Sequence, residues 1–206
     1  MTDGTLRGFL EAVAAPTPTP GGGSAAALVG ALSTALSRMV AGLAVGKKGY
    51  EDVQGELEGL RARGADLTTR LLALAEDDAA AYDAVLQAQR LPRGTDEERA
   101  RRIDAVQAAY RRATEVPLET MGACFETLRL AALAAEKGNR GATTDAGVAV
   151  LLADAALRAA SLNVRVNLAS IRDEGFRSGA EARHASILAE AGPLAAATMA
   201  LVEGRL

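Results

Sequence analysis

The sequence predicts an all-α fold, a single-domain up-and-down helical bundle spanning residues 1–206. Three observations carry this. The chain is 49% hydrophobic yet holds no Trp, three Phe and three Tyr, so its core must be built from Ala, Leu and Val. Such small residues suit closely approaching helices, whereas a sheet favours β-branched and aromatic ones. No segment alternates apolar and polar residues as a half-buried strand would. Helix start and stop signals, by contrast, recur along the whole chain.

Taken in order, a short first helix is expected over residues 3–14. Pro16, Pro18 and Pro20 then hold the chain extended before Gly21-Gly22-Gly23-Ser24. Ser24 is placed to cap a second helix that runs to Val45, with Leu28, Leu32, Leu36, Met39, Val40 and Leu43 on one broad face expected to be buried. The third helical pattern runs from Glu51 to Arg90 and is expected to relax near Gly55, Gly59 and Gly64. Leu91–Gly94 is a turn, and Thr95 with Glu98 forms a capping box opening the fourth helix. Pro117 is read as restarting the chain in a fifth helix, which Gly138-Asn139 stops. A sixth begins at Thr144-Asp145 and continues past Asn163. A last helical stretch from Asp173 is expected to break at Gly192-Pro193.

Composition excludes several classes of function. A net charge of −3 lacks the basic face that nucleic acid demands. One Cys forms no internal disulfide, so a reducing cytoplasm fits, and the N-terminus lacks the basic-then-apolar pattern of a signal peptide. Residues 25–45 carry one charge, Arg38, and are long enough to span a bilayer. No second clean span is apparent, so a central helix buried by its own bundle is expected instead of a membrane segment.

Residues able to carry chemistry fall at two poles. Three glycines before a helix let backbone N–H groups approach an anionic or polar ligand. Asp145 opens a helix, where a carboxylate also serves as plain dipole complement. Asp78 follows Glu76 and Asp77 but precedes Ala79, Ala80, Ala81 and Tyr82, which puts it at the edge of an apolar face where its pKa would rise. Lys47 and Lys48 close an apolar helix, as its dipole favours. Asn163 and Asn167 share a helix face within an apolar run, and each needs a buried partner from a ligand or a neighbouring helix. His184 is expected on the surface and Cys124 as a packed thiol. With one His and one Cys, neither a His/Cys metal site nor a Ser-His-Asp triad is available, and no Walker A or dinucleotide-binding glycine pattern occurs.

Ser24 and Gly46 lie 22 residues apart, or about 33 Å along a straight helix. With six main helical segments alternating in direction, the Ser24 end is expected to collect Asp78, Tyr82, Asn139 and Asp145. The far end would collect Lys47, Tyr50, Pro117, Asn163 and Asn167. An antiparallel homodimer would unite the two poles.

The Pro-Thr-Pro-Gly-Gly-Gly-Ser loop ending at Ser24 and the Gly46-Lys47-Lys48-Gly49-Tyr50 element together resemble the cyclodeaminase/cyclohydrolase family, which includes the cyclodeaminase half of formiminotransferase-cyclodeaminase and stand-alone methenyltetrahydrofolate cyclohydrolases. Asp78-Ala79-Ala80-Ala81-Tyr82, Leu91-Pro92-Arg93, Val116-Pro117-Leu118-Glu119, Gly138-Asn139, Thr144-Asp145 and Asn163-Val164-Arg165-Val166-Asn167-Leu168 continue the resemblance in order along nearly the whole chain. Ala159 stands where the family commonly has Gly and Thr144 where Ser is usual; both are small changes.

The resemblance implies a tetrahydrofolate substrate carrying a methenyl or formimino carbon, with no metal or other cofactor. Asp145, Asp78 and Lys47 are the implied catalytic residues. Gly21, Gly22, Gly23, Ser24, Tyr50, Tyr82, Asn139, Thr144, Asn163 and Asn167 are the implied substrate-binding ones. Hydrolysis of 5,10-methenyltetrahydrofolate is the first expectation and ammonia release from a formimidoyl folate the second. A catalytically silent helical scaffold that binds folate or a protein is the third.

Overall fold

The computed structural model of the chain describes residues 4–206, and all of its regular structure among them is helical. The helices are α1 (Leu6–Ala14), α2 (Gly22–Gly42), α3 (Gln54–Gln89), α4 (Asp96–Lys137), α5 (Thr143–Leu168) and α6 (Glu174–Glu203), with single 3₁₀ turns at Glu51–Val53 and Arg140–Ala142. Thr5 caps α1, its Oγ1 accepting from the Gly8 amide at 3.1 Å, and no residue of α1 is buried. Position 3, where this helix was expected to begin, lies outside the described residues. In the main bundle α2 packs between α3 and α5 with α4 behind it, and α6 lies against α4 and α5.

The buried face of α2 is rotated from the expected one: of the residues expected inward, Val40 is buried and Leu28 and Leu36 are partly buried against the core, while the other three are not. Ala26, Ala27, Gly30, Ala31, Ser33, Thr34, Ser37, Val40 and Ala41 point inward. Leu32, Met39 and Leu43 point out, Leu32 and Leu43 being more than half exposed. Small side chains let three neighbouring helices close on α2: a Cβ on Gly30 would sit 2.9 Å from Cys124 Sγ. The hydroxyls on this face are satisfied internally. Ser33 Oγ donates to the Ala149 carbonyl at 2.6 Å, and the Thr34 and Thr127 hydroxyls bond each other at 2.9 Å. Cys124 is the packed thiol expected, and burial pushes its pKa up to about 12.

The capping box at the start of α4 forms as anticipated. Glu98 N donates to Thr95 Oγ1 and Thr95 N to Glu98 Oε2, both at 3.1 Å. Helix α3 is continuous through Gly55, Gly59 and Gly64. The decisive departure is at Pro117, which does not break the chain: α4 runs through it for 42 residues. A proline inside a helix leaves the carbonyl four residues back without its donor. Here Asn167 Nδ2 on α5 donates to the Ala113 carbonyl at 2.5 Å and makes good that loss. Likewise α6 continues through Pro193, whose exposed face lets water solvate the freed carbonyl.

Removing one helix break reverses the direction of everything downstream. The bundle end that holds the start of α2 therefore also holds the ends of α3 and α5 and the start of α4. The opposite end holds the α2–α3 and α4–α5 connections. Among the described residues three segments are long and apolar enough to cross a membrane by length and composition, namely Gly22–Gly42, Arg140–Leu168 and Glu174–Glu203, whereas one was anticipated.

Candidate active site

At the start of α2, Gly21 takes the N-cap position with no side-chain cap, and the helix begins at Gly22. Ser24, expected to cap it, lies within the first turn and is fully buried. Its hydroxyl instead donates to Asp78 Oδ2 on α3 at 3.0 Å. The anion at this helix N-terminus is thus the chain's own carboxylate. Only Gly23 of the three glycines is needed for that approach, since a Cβ there would overlap the Asp78 carboxylate, while one on Gly22 would meet nothing within 4 Å.

Asp78 is half-buried, and desolvation raises its pKa above the ordinary carboxylate value. The Ser24 hydroxyl and main-chain amide pull the other way by bonding the charged form. A carboxyl held between these influences exchanges protons nearer neutral pH than an exposed one, the property a general acid or base needs.

Asp78 borders a cleft of about 360 Å³ whose walls come from the proline–glycine loop, α3, α4 and α5. Tyr82, Asn163 and Asn167 line it, as do Tyr110 and Gln89, which sequence reasoning missed. Gln89 Nε2 donates to the Tyr110 hydroxyl at 3.1 Å. Scarcity was the available signal for Tyr110: of the chain's three Tyr, two line this cleft. Asn163 Nδ2 donates to the Ala159 carbonyl at 3.2 Å, while Asn167 Nδ2 takes the Ala113 carbonyl. Among the described residues no Lys or Arg lines the cleft.

Asn139 and Asp145 are at the other end, with Lys47 and Tyr50, and the expectation that they join Asp78 within one subunit is overturned. The same reversal brings Asn163 and Asn167 to Asp78 instead of to Lys47. Asn139 is a tie between helices: Nδ2 donates to the Leu43 carbonyl at 2.6 Å and its main-chain amide to the Val40 carbonyl at 3.2 Å. The Tyr50 hydroxyl accepts the Arg140 amide at 3.0 Å, which fixes the turn leading into α5. Gly46 and Gly49, with φ of 72° and 89°, shape the loop that presents Lys47 and Lys48 to solvent. Glu51 folds back to accept the Gly49 amide, which holds its pKa down. Thr144 and Asp145 occupy the first turn of α5, and neither side chain has a hydrogen-bond partner among the described residues. His184 is half-buried, not freely exposed as expected, and shares a 2.7 Å hydrogen bond with Ser161. Among the described residues no group of three His, Cys, Asp or Glu side chains is placed to hold a metal ion.

Residues 5–186 match the formiminotransferase-cyclodeaminase family. The chain is 44% identical over 190 residues to a methenyltetrahydrofolate cyclohydrolase of Methylorubrum extorquens, covering 92% of this chain and 91% of that protein. It is 34% identical to the formimidoyltransferase-cyclodeaminase of Mus musculus over its full length, but spans only 38% of that longer protein. The crystal structure of a formiminotetrahydrofolate cyclodeaminase from Thermotoga maritima superposes with a TM-score of 0.88 at 30% identity, covering 97% of this chain and 96% of the other.

Proposed function

The chain belongs to the formiminotransferase-cyclodeaminase family, and from that premise we propose that it hydrolyses 5,10-methenyltetrahydrofolate to 10-formyltetrahydrofolate. The observation that carries this is Asp78, a half-buried carboxyl of raised pKa pinned by Ser24 at the mouth of a ligand-sized cleft. The higher identity to the cyclohydrolase than to either cyclodeaminase favours hydrolysis. Cyclodeamination of a formimidoyl folate is the second reading, supported by the fold-wide likeness to the Thermotoga protein. No metal or redox cofactor is invoked.

In this mechanism water adds to the cationic methenyl carbon while its proton passes to the Asp78 carboxylate. The tetrahedral carbon then loses its hydroxyl proton, the bond to N5 breaks, and N5 takes a proton from the Asp78 carboxyl. One proton is released per turnover. The carboxylate also faces the amidinium charge, and the N-terminus of α2 steadies its ionised form. Asp145 and Lys47 complete the site, Lys47 by pairing with folate carboxylates.

Those two residues come from a second subunit. The helix length puts them about 30 Å from Asp78 within one chain, and both are open to pairing. Helices α2 and α5 pack side by side and turn Leu32, Met39 and Leu43 together with Val148, Leu151, Leu162 and Val166 outward. A two-fold homodimer on this face buries that apolar surface and sets the Asp78 end of each chain against the Lys47–Asp145 end of its partner. A cytoplasmic setting fits the single buried thiol.

The test is incubation with 5,10-methenyltetrahydrofolate and, separately, with 5-formimidoyltetrahydrofolate. Hydrolysis removes the methenyl absorbance with release of 10-formyltetrahydrofolate. Cyclodeamination makes the same absorbance appear with ammonia. Binding without either change would mark a silent scaffold.

A further inference from the structure

The polar wall of the Asp78 cleft has a defined hydrogen-bonding sense. Asn163 and Asn167 each have an amide group against a main-chain carbonyl, Ala159 and Ala113 respectively. A carbonyl oxygen only accepts, so in both residues the NH₂ must be the end that is engaged. The two Oδ1 atoms are left as unpaired acceptors, and neither is sealed from solvent. The residues sit at i and i+4 on α5, so their acceptors stand one helical turn apart on the cleft wall. The cleft holds a carboxylate beside them and, among the described residues, no Lys or Arg. It therefore suits a ligand edge rich in N–H donors and offers no cationic side chain to a ligand carboxylate.

Resting on the folate reading above, we infer that this cleft seats the aminopyrimidine edge of the pterin, with Asn163 Oδ1 and Asn167 Oδ1 accepting from its N–H groups. The glutamate tail then leaves toward the partner subunit's end of the site, where the exposed cations are. Asn167 has a double duty. Pro117 leaves the Ala113 carbonyl without a helical donor, and by answering it the Asn167 amide is locked with its oxygen available to the ligand. The mid-helix proline is thus what sets the polarity of a substrate-reading group 50 residues later.

Two ligands test this, 5,10-methenyltetrahydrofolate and its analogue with the 2-amino group replaced by methyl. The wild type should bind the analogue at least ~10-fold more weakly, the loss expected when an acceptor site is left unmatched. Asn163→Leu should bind the natural ligand ~10-fold more weakly and discriminate the two by less than about 3-fold. Asn167→Leu orphans a main-chain carbonyl, so it is studied together with Pro117→Ala, which gives that carbonyl a helical N–H. The double variant should melt near the wild type yet still fail to discriminate. A wild type that binds both ligands alike, or a thermally intact double variant that keeps full discrimination, overturns the inference while hydrolysis of the natural ligand leaves the functional reading standing. A wild type that binds neither ligand overturns both.

Discussion

A side chain on Gly23 and the carboxylate of Asp78 cannot occupy the same space. A Cβ built on Gly23 would fall 2.5 Å from Asp78 Cγ and 2.7 Å from Oδ2, closer than any real contact. The second residue of α2 therefore lacks Cβ, so that the α3 carboxyl can reach the Ser24 amide and hydroxyl.

Gly23→Ala should accordingly displace Asp78 and cost about 10²-fold or more in kcat, within the range of a mispositioned acid–base group. Gly22→Ala, which meets nothing within 4 Å, should retain activity. Steady-state kinetics on the two variants, with melting curves to verify the fold, make the comparison.

The Ser24–Asp78 bond makes a prediction about pH. Ser24 stabilises the carboxylate, so Ser24→Ala should raise the Asp78 pKa further and move the acidic limb of kcat/KM to higher pH. Asp78→Asn should lose about 10²–10⁴-fold in kcat. The stability sign is opposite. Burial raises the folded-state pKa above the unfolded value, so the favourable contribution of the protonated group is present at low pH and lost as pH rises through that raised pKa. At neutral pH the Asn variant should melt at or above the wild-type temperature, a result read directly by calorimetry.

Pro117 and Asn167 should be energetically coupled. Asn167→Leu leaves the buried Ala113 carbonyl unsatisfied and should cost about 1–3 kcal/mol. In the Pro117→Ala background the same change should cost less than about 1 kcal/mol, because the helix supplies the donor. Denaturant unfolding of the four proteins in this cycle measures the coupling.

The outward face of α2 gives a third kind of test. Leu32 is 54% and Leu151 55% exposed in the subunit, so Leu32→Glu and Leu151→Glu should leave helicity unchanged while shifting the protein to monomer in sedimentation experiments. A cooperative loss of helix without a monomeric stage would mean that these leucines support the subunit itself.

How much of this was legible in the sequence follows from where side chains carry their own instruction. The Thr95–Glu98 box is a local device, and it forms as read. The all-helical class follows from an aromatic-poor, Ala-rich composition. The motifs at Ser24, Asp78 and Asn163 each mark the cleft. What sequence patterns did not disclose was orientation. A proline normally ends or kinks a helix, and nothing near Pro117 signals that a side chain 50 residues on replaces its missing donor. That one break flipped Asn139, Asp145, Asn163 and Asn167 to the wrong ends. Leu32, Met39 and Leu43 misled for another reason: in an alanine core the bulky side chains need not all face inward, because small residues give the closest helix contacts.

The central claim, a site completed across two subunits, is tested most directly by mixing two inactive variants, Asp78→Asn and Asp145→Asn, and allowing subunits to exchange. Their carboxyls belong to opposite ends of one chain, so a mixed dimer has one intact site and one doubly damaged site. At full exchange half the dimers are mixed, and activity should recover to about a quarter of wild type. Pairing Lys47→Ala with Asp145→Asn should restore nothing, because both residues occupy the same end. No recovery in the first mixture, with exchange demonstrated and both parents inactive, would contradict a shared site.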